Sequence, residues 1–145
     1  MTALMLVLWS LSLRPIMSLD AFVLRWEIAS AIADATDDPA MMRVMMVTAN
    51  EECQFRRTVV DCREVGDGGR SLGPWQTSFR SAGEQWAICH DVTYAARVAL
   101  ERIRESEAMC GHLPREARLS AYASGNCSVG RDISRRRWML AGWTL

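Results

Sequence analysis

The chain has 145 residues, half of them hydrophobic, which is enough for one compact domain with its own core. Seventeen basic residues, all arginine, balance seventeen acids, so no broad positive field of the kind that binds nucleic acid through counterion release is expected. The five cysteines (Cys53, Cys62, Cys89, Cys110, Cys127) form no Cys-x-x-Cys pair and no Cys/His cluster with zinc spacing, so neither a metal centre nor a cofactor is expected. In an oxidising compartment at least one of the five stays unpaired. Cys110 with Cys127 and Cys53 with Cys62 are candidate bridges, and free buried thiols are the alternative.

Met1 to Leu13 is apolar, without a basic segment before the apolar part and without an evident small-residue cleavage site. About a dozen residues is too short to cross a bilayer comfortably, so no stable membrane span is expected. Residues 1–17 read as an N-terminal extension or a core-docking helix rather than an export signal or anchor, with Met17 as an alternative start, and 18–145 as the domain proper.

From Ser18 to Thr36 the positions Phe22, Val23, Trp26, Ile28, Ile32 and Ala33 follow a helical rather than an alternating pattern. Asp37-Asp38-Pro39 ends this element and opens the next, with acids at the N-cap and proline at the first helical position. Met42, Met45, Met46, Ala49 and Cys53 then make one stripe of a second helix, from Pro39 to about Cys53. Between Arg56 and Ser81 the residues Gly66, Gly68, Gly69, Gly73 and Pro74 break any regular helix, and Thr58-Val59-Val60 suggests a short strand in a small hairpin. The longest helix runs from Asp91 to Met109, with Val92, Ala95, Ala96, Ala99 and Ile103 at core spacing, until Gly111 and Pro114 stop it. Pro114–Tyr122 and Ile133–Trp143 read as two more helices around the turn Ser124-Gly125-Asn126, and Arg135-Arg136-Arg137 as a solvated helix face rather than an anion clamp. The expected class is mainly α, one helical domain with a glycine-rich loop or short β-hairpin.

The chemistry concentrates at the end of the second helix. At about 100° per residue Glu52 falls beside Met41 and Met45, at the edge of the apolar stripe, whereas Glu51 points away from it. Glu52 is therefore the acid expected to lose water, and a desolvated carboxyl holds its proton to higher pH, as a proton donor must. Cys89-His90 offers a thiol beside a base, but neighbouring side chains on a helix diverge too far to act together.

Ala49-Asn50-Glu51-Glu52-Cys53-Gln54-Phe55 resembles the helix-ending E-S-x-F element of lytic transglycosylases, with Glu52 on the acid. Gly66-Asp67-x-Gly69-x-x-Leu72-Gly73-x-x-Gln76 resembles the goose-type lysozyme loop G-D-x-G-x-x-aromatic-G-L-M-Q, and Tyr122-Ala123-Ser124-Gly125 resembles the Y-N-x-G element of the same lysozyme-like superfamily. The three stand in the family's order over residues 49–125. Departures are Cys53 for serine, Pro74-Trp75 for Leu-Met, Ala123 for asparagine, and Ser78 where a second goose-type aspartate stands.

The resemblance implies a lysozyme-like domain that binds a peptidoglycan glycan strand and cleaves the β-1,4 bond between N-acetylmuramic acid and N-acetylglucosamine. Glu52 would protonate the leaving oxygen. Asp67 falls on the acid that orients water, giving inverting hydrolysis if the carboxyls stand about 6.5–9.5 Å apart, whereas a remote Asp67 leaves attack to the sugar's own 6-hydroxyl, as in lytic transglycosylases. Ser71, Gly73, Trp75, Gln76 and Tyr122 are the expected substrate-binding residues: Gln76 for an N-acetyl or hydroxyl group, Trp75 for a pyranose face or else the core, Tyr122 for a hydroxyl near the cleaved bond. Such an enzyme acts at the bacterial cell wall, exported or carried by a phage particle. The competing expectation is a module that keeps the fold without turnover, such as a virion component.

Overall fold

The computed structural model describes residues 1–16, 18–66 and 68–142. It is mainly helical, with one small antiparallel sheet. In chain order the elements are α1 (Ala3–Ser10), α2 (Leu19–Ala35), α3 (Pro39–Glu52), α4 (Arg57–Val60), β1 (Ser71–Leu72), β2 (Thr77–Ser78), α5 (Ala82–His90), α6 (Val92–Met109), a 3-10 turn (Arg115–Ala117), α7 (Ser120–Ser124) and α8 (Arg131–Leu140). Among the described residues no helix is long and apolar enough to cross a membrane.

The long helices start where short polar side chains satisfy free backbone donors. Ser18 accepts from Ala21 N, Asp38 from Ala40 N and Met41 N, and Asp91 from Tyr94 N. Helix α2 packs along α6, bringing Leu24, Ile28 and Ile32 into one core with Ala95, Ala99 and Ile103. Helix α3 is buried nearly all round: from Met41 to Ala49 only Arg43 is not buried. Its four methionines suit that position, since unbranched thioether chains fill irregular gaps.

Helix α1 packs on α2 and α3, with Leu6, Val7 and Ser10 buried. Its end is held by Arg25 of α2, whose Nη1 donates to the carbonyls of Ser10 (3.2 Å) and Arg14 (2.7 Å) while its guanidinium lies 4.3 Å from the centre of the Phe55 ring. A cation on the last carbonyls of a helix is favourably placed against its dipole. Residues 3–10 are thus part of the core that 18–142 builds.

Several expectations are corrected. Thr58-Val59-Val60 is not a strand but part of the helical turn α4, which follows Gln54 and Phe55, both at a φ of 52°. The hairpin lies farther on, where β1 and β2 pair Ser71 with Ser78 and Leu72 with Thr77. Helix α5 is not among the expected elements, although Ser81 is a serine N-cap that accepts from Glu84 N; the Glu84 carboxylate accepts from Arg80 N, one residue before the cap. Pro114–Tyr122 is not one helix but a 3-10 turn followed by the short α7, and the expected end of the last helix at Trp143 lies outside the described residues. Cys62 pairs with Cys89 and Cys110 with Cys127, so Cys53 is not bridged to Cys62, and Cys89 is no free thiol for His90.

Candidate functional site

Glu52 is the last residue of α3, and Gln76 is the last residue of the hairpin turn; the two line one cavity of about 220 Å³ together with Arg56, Glu64 and Gly66. A Cβ on Gly66 would meet Gln76 Oε1, so glycine there leaves room for the Gln76 amide without its side chain having to shift. Gln76 itself holds a φ of 47°, unusual for a residue with a Cβ, and its Nε2 donates to Gly73 O at 3.0 Å. Gln76 also borders a second cavity, of about 190 Å³, lined on its far side by Arg102, Glu105, Ser106 and Tyr122.

The helix end departs from the wheel expectation. Glu51 is the more enclosed acid, its side chain 13% exposed against 28% for Glu52. Helix α3 is not buried along a single stripe, because α8 packs across it and covers the Glu51 side. Arg136 Nε donates to Glu51 Oε1 at 2.8 Å, Arg137 Nε donates to Glu51 Oε2 at 2.9 Å, and Arg137 Nη2 donates to Glu52 Oε1. Arg137, 3% exposed, is therefore part of the interior and not of a solvated face, which corrects the reading of Arg135-Arg136-Arg137 for this residue. Its Nη1 is buried and has no partner among the described residues.

Other expected site residues belong to the scaffold. Trp75 is fully buried and donates from Nε1 to the Met45 carbonyl of α3 at 2.9 Å, so it is a core residue and not a sugar platform. Gly73 is buried with a φ of 70°, and a Cβ there would meet Ile88 Cγ2 at 2.9 Å, so it serves the turn and its packing on α5. Ser71 takes part in β1, and its backbone exchanges hydrogen bonds with Gly66. Among the described residues neither cavity is lined by Ser71, Gly73 or Trp75. Tyr122 lines the second cavity, but its hydroxyl donates to the Trp75 carbonyl at 2.7 Å, and burial raises its pKa well above the ordinary phenol value. It is thus a neutral strut between α7 and the hairpin. Asp67 lies outside the described residues.

Cys53 shows how a departure from the motif is accommodated. It caps α3, fully buried, and its Sγ donates to the Ala49 carbonyl at 3.0 Å, a bond a serine hydroxyl can also make. Phe55, two residues on, is buried beneath the Arg25 guanidinium. Both anchor the segment that leads out of the helix from Glu52.

Glu64, Arg56 and Arg137 are site residues that sequence reasoning missed. Glu64 stands two residues before Gly66, close enough to the glycine motif for proximity to have flagged it. The reach of Arg137 across 85 positions to Glu52 has no local signal. Comparison with known proteins finds no family model that matches the chain, no similar curated protein and no similar solved structure.

Proposed function

We propose that the chain is a lysozyme-like glycosidase that cleaves the β-1,4 bond between N-acetylmuramic acid and N-acetylglucosamine in peptidoglycan, with Glu52 as the general acid. The observation that carries this reading is the shared cavity: Glu52 from a helix end and Gln76 from a glycine-rich hairpin, far apart in sequence, line one recess, with Gly66 making room for the amide. A second recess on the other side of Gln76 offers space for a ligand longer than one sugar. In this mechanism the carboxyl of Glu52 gives its proton to the leaving glycosidic oxygen as an oxocarbenium-like centre develops, and Gln76 holds an N-acetyl or hydroxyl group by donating and accepting.

The competing reading, a lysozyme-like binding module without turnover, draws on the ion pair between Glu52 and Arg137 and on the burial of Trp75. Purified cell walls separate the two. The enzyme releases muropeptides, and Glu52→Gln lowers that release by roughly 100-fold or more, the scale of a positioned proton donor. Wall binding with no release by the unmodified protein ends the enzyme reading in favour of the module. Mass spectrometry of the products then distinguishes hydrolysis, which leaves reducing ends, from transglycosylation, which leaves anhydro ends.

A further inference from the structure

The geometry points to Glu64 as the second carboxylate of this site, the base that takes a proton from the attacking water; this rests on the glycosidase reading. Glu64 lines the same cavity as Glu52 and Gln76 and comes from a different segment, the loop between α4 and Gly66. Two contacts fix its carboxylate: Oε1 accepts from Thr58 Oγ1 at 2.7 Å, and Oε2 accepts from Arg56 Nη1 at 2.6 Å. Its backbone N–H donates to the Thr58 carbonyl at 2.9 Å, and the disulfide from Cys62 to Cys89 ties the preceding residues to α5. The side chain is nonetheless 49% exposed, so water reaches it.

The Thr58 hydroxyl, and after it the Arg56 guanidinium, hold the Glu64 carboxyl below the usual carboxylate range, so it is ionised and acceptor-only at neutral pH. In the step itself a water oxygen bonds to the anomeric carbon while the bond from that carbon to the glycosidic oxygen breaks. The leaving oxygen takes the Glu52 proton, the water gives its proton to Glu64, and the configuration inverts. Charge and atoms balance without any co-reactant.

The test uses the full chain on purified peptidoglycan, with Glu64→Gln, Glu64→Ala and Asp67→Asn beside the unmodified protein. Glu64→Gln is expected to lose hydrolytic products by roughly 100-fold or more while still binding cell walls. Azide carries no proton that a base must remove, so it is expected to restore turnover in Glu64→Ala and to give a glycosyl azide of inverted configuration. A structural role for Glu64 produces no such rescue. Three outcomes overturn the assignment while leaving the glycosidase reading intact: Glu64→Gln as active as the unmodified protein, Glu64→Ala with no azide product, or the loss falling on Asp67→Asn alone. An unmodified protein that releases no muropeptides ends the glycosidase reading itself, and this assignment with it.

Discussion

Cys53 ties the candidate acid to the core and has a measurable titration. Burial pushes its thiol up to about 11 from an ordinary 9.0. The unfolded chain therefore ionises first as pH rises, so the stability this thiol contributes is complete below pH 9.0 and is lost as pH climbs toward about 11. Urea unfolding at pH 8 and pH 10.5 should show the unmodified protein losing about 2 kcal/mol more than Cys53→Ser, whose hydroxyl can keep the Ala49 bond without titrating. Equal losses in the two proteins would mean that the thiol is not held in the apolar site described. Trp75 shows a limit of reading single residues. Its place in a glycine-rich loop and its aromatic face suit a ligand as well as a core, and the Met45 carbonyl that takes its N–H lies 30 residues earlier, where no local pattern reveals it.

At the scale of elements, the end of α3 is governed by α8. Arg137 serves both Glu51 and Glu52, so replacing it leaves Glu52 without its cation and Glu51 with Arg136 alone. Arg137→Met should therefore cost about 3 kcal/mol in chemical unfolding, and adding Glu52→Gln should recover part of it, because the carboxylate that lost its arginine is then gone. A single variant within about 0.5 kcal/mol of the unmodified protein would show that the ion pairs contribute little. Which elements were legible follows from the same distinction between local and distant causes. Helices α2, α3 and α6 announce themselves through Ser18, Asp38 and Asp91 caps and through repeating apolar positions, all within a few residues. The β-branched run Thr58-Val59-Val60 misled because its backbone follows the reversal at Gln54 and Phe55, and tertiary context overrides strand propensity. The cavity itself was half legible: Glu52, Gln76 and the glycines stood out by motif. Glu64 and Arg137 are assigned to the site only by how α4, α8 and the hairpin come together.

For the whole molecule, the most consequential question is whether residues 1–17 can be removed without unfolding the rest. Leu6 and Val7 are buried against α2 and α3, so their loss both removes their own burial and uncovers part of the surface around Leu24 and Ile28. Arg25 adds a polar cost: it is buried, and the Ser10 and Arg14 carbonyls that receive its Nη1 leave with the segment. Two buried aliphatic side chains at about 1.5–3 kcal/mol each, and a buried donor left unsatisfied at about 1–3 kcal/mol, give a loss of roughly 4–9 kcal/mol. That is comparable to the entire stability of an ordinary domain, so a chain starting at Ser18 is expected to lose its cooperative thermal transition and expose apolar surface to a hydrophobic dye. Point changes separate the two contributions. Leu6→Ala should lower the unfolding free energy by about 2–5 kcal/mol through the cavity it leaves, while Leu8→Ala, on the exposed side of the same helix, should stay within about 0.5 kcal/mol. If the shortened chain instead melts at the same temperature as the full one, α1 is an ornament on a core that closes without it, and the Glu52 cavity owes nothing to the N-terminal segment.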